Sequence, residues 1–457
     1  MLLISHPLDH RHRPRGIINR SLLVAAAALL VSGSLSAQQS TRPALDGTWT
    51  LWRRQPNGSD MPLRVELQSR RDSLTVTAPN ELRLQGRSTS SGITASGMGA
   101  DRTGEFALAI SASWVGDSLV GRGMQGPDTI RVLWMVRDTE RRSSSPTRQT
   151  VHPAEFFRVV SATPRPLAHL WSGDTVRTET VGSDGIDSAG KRRSVGGNPL
   201  TGPFYIENSL PGDVLVIRLL RVRTNRSWAI SGASIASDAL EPGYIASGSN
   251  GGGDSAATWT IDAAAGVARL KTPSAKLKNY TVPLHPILGS IAVAPGNIGR
   301  AEVRSTGIPG SFGGNIDYNR LGEGTTVYLP ISQPGAYFYL GDGHAAQGDG
   351  ELTGDALETS MDVEFSVELI RGKRIGMPRA EDASFLMASG MGGSLDQAFR
   401  SATTRLATWL EQDYKLTRSE VALLMGTGVQ FDIAEVVDGV LHVVARFPKQ
   451  LLRGISP

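Results

Sequence analysis

Between residues 63 and 136, apolar side chains fall on alternate positions. Leu63, Val65 and Leu67 are followed by Leu74 and Val76, then by Phe106, Leu108, Ile110 and Ala112, then by Ile130, Val132, Trp134 and Val136. A period of two puts every second side chain on the same face of a strand, so each run predicts a half-buried antiparallel strand. The turn Asp-Ser-Leu occurs twice, at 72–74 and 117–119, where a chain of short strands must reverse. Residues 38–137 are therefore expected to form a small antiparallel barrel or sandwich.

Beyond it the pattern changes twice. Residues 138–166, with Arg141 and Arg142 ahead of three serines and an end at Thr163-Pro164-Arg165-Pro166, read as a linker. From 167 to 457 the chain is again β-rich, with strands expected at Val214–Leu220, Ala292–Ala294, Thr325–Ile331, Ala336–Leu340 and Val363–Ile370. Helical spacing enters only near the end. Ser394 and Gln397 form a capping-box pattern ahead of Leu395, Ala398, Phe399, Ala402, Leu406, Trp409 and Leu410. Thr417 and Glu420 repeat it before Val421, Leu423 and Leu424. The fold class is mainly β, a β-rich α+β chain of two domains, and the first domain's opening Leu45-Asp46-Gly47-Thr48-Trp49 resembles a lipocalin-like or avidin-like meander.

Composition changes this picture at the N-terminus. Arg11, Arg13, Arg15 and Arg20 precede a short apolar run, Leu22 to Val31, and then small residues as far as Ala37. This is the pattern of a secretory signal over residues 1–37, so the protein is expected to be exported, to the periplasm or the extracellular space. Removing it takes four arginines and Asp9 and leaves a chain of formal charge +4 close to neutral. No dense basic cluster interleaved with aromatics remains, so no nucleic-acid partner is expected, and no other apolar run is long enough for a membrane span. The chain has no cysteine, which excludes thiol nucleophiles and cysteine-ligated zinc.

The densest chemistry lies in Gly-Asp-Gly-His-Ala-Ala-Gln-Gly-Asp-Gly-Glu, residues 341–351. Asp342 and His344 are spaced i, i+2 and would share a face of an extended segment. A neutral imidazole with carboxylates suits zinc or another divalent ion. Asp317, ending Gly-Gly-Asn-Ile-Asp, supplies a further carboxylate if the two loops meet. The other reading of the stretch is a glycine-aspartate turn bonded to its own backbone. Among the other histidines, His285 in Leu-His-Pro is a possible fourth ligand. Gly248–Gly253 reads as a flexible loop, and neither a Gly-x-Ser-x-Gly elbow nor a His-Glu-x-x-His helix is present.

Asn-Pro-Leu-Thr-Gly-Pro-Phe-Tyr-Ile-Glu (198–207), Pro-Gly-Asp (211–213), Leu-His-Pro-Ile-Leu-Gly-Ser-Ile-Ala-Val-Ala-Pro (284–295), Pro-Gly-Ser-Phe-Gly-Gly-Asn-Ile-Asp (309–317) and the 341–351 stretch together resemble the acetamidase/formamidase family over residues 167–450. The resemblance implies hydrolysis of small linear amides such as formamide or acetamide to a carboxylate and ammonia. It also implies a β-rich fold, a divalent metal, and self-association into a homo-oligomer. On that footing Asp317, Asp342 and His344 are the expected metal ligands. Glu351, with Asp349 next, is expected to move protons, and Asn315 to face the substrate carbonyl. Glu358 and His285 are expected around them. The alternative is a secreted binding protein that keeps the fold without turnover. A third reading gives the activity to the N-terminal barrel as a lipophile or partner-docking module.

Overall fold

The computed structural model describes residues 45–455 except 55–59, 79–81, 102–103, 126–127, 138–144, 248–255 and 298–299. The leader expected over 1–37, the Arg141-Arg142 pair and the Gly248–Gly253 loop lie outside the described residues. Among the described residues no helix is long and apolar enough to cross a membrane.

Alternation closes the N-terminal part into a barrel. Strands β1 (Gly47–Arg54), β2 (Asp60–Arg70), β3 (Ser73–Ala78), β4 (Leu82–Ser88), β5 (Gly92–Asp101), β6 (Gly104–Val115), β7 (Ser118–Gln125) and β8 (Asp128–Arg137) pair each with the next. β8 returns to β1, with Trp49 opposite Arg137 and Arg53 opposite Leu133. The two Asp-Ser-Leu turns are two-residue hairpin loops, Arg70 pairing Ser73 and Val115 pairing Ser118. Their first loop residues, Arg71 and Gly116, take φ of 56° and 60°, the left-handed twist such loops require. Trp49, Leu67, Leu74, Val76, Leu84, Leu119 and Met135 fill the interior. That packing argues against the container for a lipophile that a lipocalin-like meander suggests. The phase expected for the last strand is also corrected. Val136 is exposed and Met135 is inside, because β7 and β8 slip register between Gly121 and Gly123. A slip of one residue exchanges the faces.

The second part is two large sheets enclosing one core. A nine-stranded sheet carries Val214–Thr224 and Met361–Ile370 at its centre, and a ten-stranded one carries Leu200–Ile206 and Phe338–His344. Phe365 of the first lies edge-on against Phe204 and Phe338 of the second, each 5.3 Å away between ring centres. The linker reading of 138–166 fails over its later half. Arg148–Thr150 pairs in parallel with Thr175–Glu179, and Val159–Val160 pairs with Arg304–Ser305. Val160 is buried, and Ser161 offers its carbonyl to the Tyr339 hydroxyl at 2.7 Å. These short strands carry no apolar alternation and are held by pairing with strands distant in sequence.

The helix Leu395–Tyr414 seals the edge of the nine-stranded sheet. Ser394 caps it by accepting from Gln397 N, and Ala398, Ala402, Leu406, Trp409 and Leu410 pack on Leu386, Val443 and Phe447. Leu395 and Phe399, expected on that face, are exposed instead. The Gln397 side chain also turns away from the reciprocal cap, accepting from Gly393 N at 3.0 Å. The helix Arg418–Gly428 has the full capping box between Thr417 and Glu420, but buries Val421 and Met425 and leaves Leu423 in solvent.

Candidate metal centre

The 341–351 stretch begins as a strand rather than the flexible loop its glycines suggest. Phe338–His344 is buried at every position and hydrogen-bonds to Leu200–Ile206 on one side and Ile287–Val293 on the other. Its glycines serve close packing. A Cβ on Gly341 would come within 2.8 Å of Leu200 Cδ2, and one on Gly343 would press on Met361. The same requirement appears across the sheet at Gly289. A Cβ there would lie 2.8 Å from both Asp342 Oδ2 and His344 Cε1, and closer still to Asp317 Oδ1.

Around His344 Nε2 stand four carboxylates: Glu358 Oε1 at 3.1 Å, Asp342 Oδ1 at 3.6 Å, Asp317 Oδ1 at 3.9 Å and Glu351 Oε1 at 4.0 Å. Two sets of potential ligand atoms, Asp317-Asp342-His344 and His344-Glu351-Glu358, each fall within 4.8 Å of one another. All five side chains are buried. Both carboxylate oxygens of Asp317, Oδ1 of Asp342 and Oε2 of Glu358 have no hydrogen-bond partner among the described residues. Buried carboxylates that face one another without partners cost free energy unless protons or a cation neutralise them.

The titration behaviour expresses the same strain. Burial, reinforced by Glu351 and Asp342, lifts the Asp317 carboxyl well above its ordinary range. Burial likewise raises Glu351 strongly, and Glu358 as well. Burial works to lower His344, but Glu358 and Asp342 outweigh it and its pKa rises well above the usual value. A bound divalent ion would relieve all four together, and one imidazole with several carboxylates is a donor set that such ions accept.

The histidine is oriented for that purpose. Gln347 Nε2 donates to the backbone oxygens of Asp317, at 2.5 Å, and of Ala434, at 3.3 Å. Its Oε1 is thereby left to accept, and it lies 2.9 Å from His344 Nδ1. Nδ1 must then carry the proton, so the lone pair of the neutral ring sits on Nε2, facing the carboxylates. Four residues of the site also hold left-handed backbone: Asn198 at φ 51°, Asp317 at 36°, Asp342 at 54° and Glu351 at 46°. For non-glycine residues this costs roughly 1–3 kcal/mol each and persists where the surroundings over-determine it.

The cluster opens on a cavity of about 250 Å³ lined by Gly197, Asn198, Ser305, Gly307, Asn315, Asp342, Glu351, Gly354, Asp355, Glu358 and Asp438. Asn315 is held on both sides of its amide. Its oxygen accepts from Ser290 Oγ at 2.5 Å and Asn198 Nδ2 at 3.0 Å, and its Nδ2 donates to Asp438 Oδ2 at 2.7 Å. Asn198 Nδ2 also reaches Asp342 Oδ2 at 3.1 Å. Asp438 arrives on the turn between the strands Gln430–Glu435 and Leu441–Pro448, and the same hairpin bridges Gly350 to Glu435.

The fold thus brings together Asp317, Asp342, His344, Glu351 and Glu358, with Asn315 beside them. Glu358 stands nearest the ring, closer than the surrounding position expected from sequence. Asp349 and His285 are elsewhere. Asp349 is exposed and accepts from Asn319 Nδ2 at 2.7 Å, because the chain turns outward after Gln347. His285 is exposed, and its backbone N–H bonds to Ala345 O, which places it at the end of its strand with the ring outside the cluster. His442, by contrast, is buried, donates from Nδ1 to Ile316 O at 2.6 Å, and burial lowers its pKa to about 4. Sequence reasoning assigned nothing to Asn198, Gly289, Gln347 or Asp438. Asn198 and Gln347 stood within quoted motifs, whereas Val-Asp-Gly around Asp438 reads only as a turn.

Residues 297–448 match the Acetamidase/Formamidase family. That segment is similar to the family's domain. A protein from Schizosaccharomyces pombe named as a formamidase is 30% identical over 227 residues, 40% of this chain and 53% of that one, so the chain spans about half the length of that relative. Among solved structures, an acetamidase from Bacillus halodurans is 26% identical with a TM-score of 0.57, covering 68% of this chain and 100% of its own. A protein from Thermoanaerobacter tengcongensis described as a predicted acetamidase/formamidase is 25% identical at the same TM-score and is covered to 99%. An acetamidase from Yersinia enterocolitica, at 24% identity, shares the fold. Asp317, Asp342, His344, Glu351 and Glu358 all fall within the matched segment, whereas Asn198 and Gly289 lie before it.

Proposed function

We propose that the protein is a metal-dependent amidohydrolase that cleaves the C–N bond of small linear amides, with the cluster around His344 as its centre. The observation that carries this reading is the His344 Nε2, its ring fixed by Gln347 through Nδ1, facing four buried carboxylates, three of which carry oxygens without hydrogen-bond partners among the described residues. The similarity to acetamidases and to a protein named as a formamidase supports amides as the substrate class. Asp317, Asp342 and His344 would hold a divalent ion, zinc by the nature of the donors, with Glu358 completing the set. Such an ion, when bound, supplies Lewis acidity for a carbonyl oxygen and makes a water molecule more acidic.

The side chains supply the rest. Glu351 lines the cavity, and burial raises its pKa well above the ordinary range, so its carboxylate accepts a proton more readily than an exposed glutamate would. It takes the proton from the attacking water and returns it to the departing nitrogen, so amide and water become carboxylate and ammonium. Asn315 spends one Nδ2 hydrogen on Asp438 and keeps the other for the substrate oxygen. The leader expected over residues 1–37 places this chemistry outside the cytoplasm, which fractionation of expressing cells would check.

The test is ammonia release by metal-replete protein from formamide, acetamide and glycinamide, alongside metal analysis. Turnover that disappears on chelation and returns with a divalent ion is expected, and His344→Ala should lose bound metal and rate together. Absence of ammonia from every amide would overturn the reading, and unchanged metal content in His344→Ala would overturn the ligand set.

A further inference from the structure

The cavity wall has a composition that small neutral amides do not require. Among the described residues lining it there is no aliphatic or aromatic side chain, and neither lysine nor arginine. An acyl chain entering it meets glycines, Asn198 and Ser305, so little apolar area is buried and the hydrophobic contribution that usually selects longer alkyl groups is small. Two acids on this wall lie outside both groups of potential metal ligands, Asp355 and Asp438. Asp438 is half-buried and gives one oxygen to Asn315. Asp355 is exposed, and its carboxylate makes no hydrogen bond or ion pair among the described residues. A divalent ion offsets only two of the four carboxylates around His344. With Asp355 and Asp438 added on the wall, the acidic groups outnumber the charge a divalent ion supplies, and no cationic side chain among the described lining residues offsets them, so the field in the cavity stays negative after the metal is bound. Such a field favours a cation and opposes an anion.

We infer that the preferred substrate is a small hydrophilic amide bearing a positively charged amino group, an amino-acyl amide, whose ammonium is received by Asp438 and Asp355 while its carboxamide faces Asn315 and Glu351. This rests on the amidase reading and deepens it. The product of such a substrate is a zwitterion, which the negative wall repels less than the bare carboxylate of acetate.

Glycinamide, glycolamide and propionamide differ only in carrying an ammonium, a hydroxyl or a methyl at one position, so they isolate the charge at nearly constant size. With metal-replete full-length protein near neutral pH, kcat/KM should be roughly ten- to a hundredfold higher for glycinamide than for propionamide, the range a charge-assisted hydrogen bond gives. Glycolamide should fall between them. Asp355→Asn and Asp438→Asn should each lower the ratio of glycinamide to glycolamide, and added salt should compress it in the parent protein. If all three amides release ammonia at similar kcat/KM, or glycinamide is the poorest, this inference is overturned while the amidase reading stands. If none releases ammonia, the amidase reading fails. Calorimetric titration with the same three amides then decides the inference by itself: preferential binding of glycinamide that Asp355→Asn weakens upholds it, and equal or absent binding overturns it.

Discussion

His344 depends on a residue three positions downstream. Gln347 donates to two backbone carbonyls and so presents its oxygen to Nδ1, which turns Nε2 toward the carboxylates as the nitrogen that would ligate a metal. Gln347→Leu should therefore weaken metal binding about 10- to 100-fold, the usual cost of losing such a partner, with little change in melting temperature of the metal-free protein. Competition with a chromogenic chelator measures this. Gly289→Ala makes a sharper case, since its new methyl would occupy the space between Asp317, Asp342 and His344. Metal content close to zero, with circular dichroism unchanged, is the expected outcome. At this scale the sequence displayed the ligand types but not their geometry. Asp317, Asp342 and His344 were visible because acids and a histidine between glycines are unusual. Asp349 stood next to Glu351 as a proton carrier, and the outward turn after Gln347 removes it from the site. Gly289 carries no chemistry of its own, and its necessity exists only where two strands meet.

Secondary-structure elements supply the second level of control, most clearly in the hairpin that carries Asp438. Glu435 accepts from Val437 N and Asp438 N through Oε2, at 2.9 Å and 3.2 Å, while its Oε1 is buried without a partner among the described residues. Burial, with Asp438 adding, raises its pKa from 4.5 to about 7. The folded protein thus holds a proton that the unfolded chain releases. The associated stability is fully present below pH 4.5 and is lost as pH rises through about 7. A shift of this size corresponds to roughly 3 kcal/mol, and Glu435→Gln should flatten the fall in unfolding free energy over that window, as urea titrations at several pH values would show. The helix Leu395–Tyr414 makes a plainer prediction. Trp409 is 4% exposed, and Trp409→Ala should cost about 3–5 kcal/mol in the same assay. Both helices announced themselves through their caps, because capping is local. Which of their apolar residues face the sheet did not follow, since the apolar stripe is wider than the buried one and Leu395, Phe399 and Leu423 fall on its margin.

For the molecule as a whole, alternation sufficed for the barrel, where each strand bonds to its sequence neighbour, and failed for 148–161, whose partners are distant in sequence. The B. halodurans acetamidase aligns over its full length with 68% of this chain, so the second part has a counterpart that stands without the remainder. A chain beginning at residue 145 should accordingly retain bound metal. One beginning at 160 lacks the strand Arg148–Thr150 and the Val151 carbonyl that Thr178 Oγ1 bonds at 2.7 Å, and should melt at a lower temperature in calorimetry.

The barrel's neighbour-to-neighbour pairing also has a consequence in time. Closing it requires only residues up to Arg137, and every ladder but the last joins strands that emerge one after another. The strands Leu200–Ile206 and Ile287–Val293 must instead wait for the one with Asp342 and His344, which follows them by long intervals of chain. Local pairings form early and distant ones late, and synthesis proceeds from the N-terminus. The barrel should therefore seal its own edges before the larger sheets assemble. Amides of β1 to β8 should gain protection first in pulse-labelled hydrogen exchange during refolding, leaving the growing chain one fewer open sheet edge to mispair with.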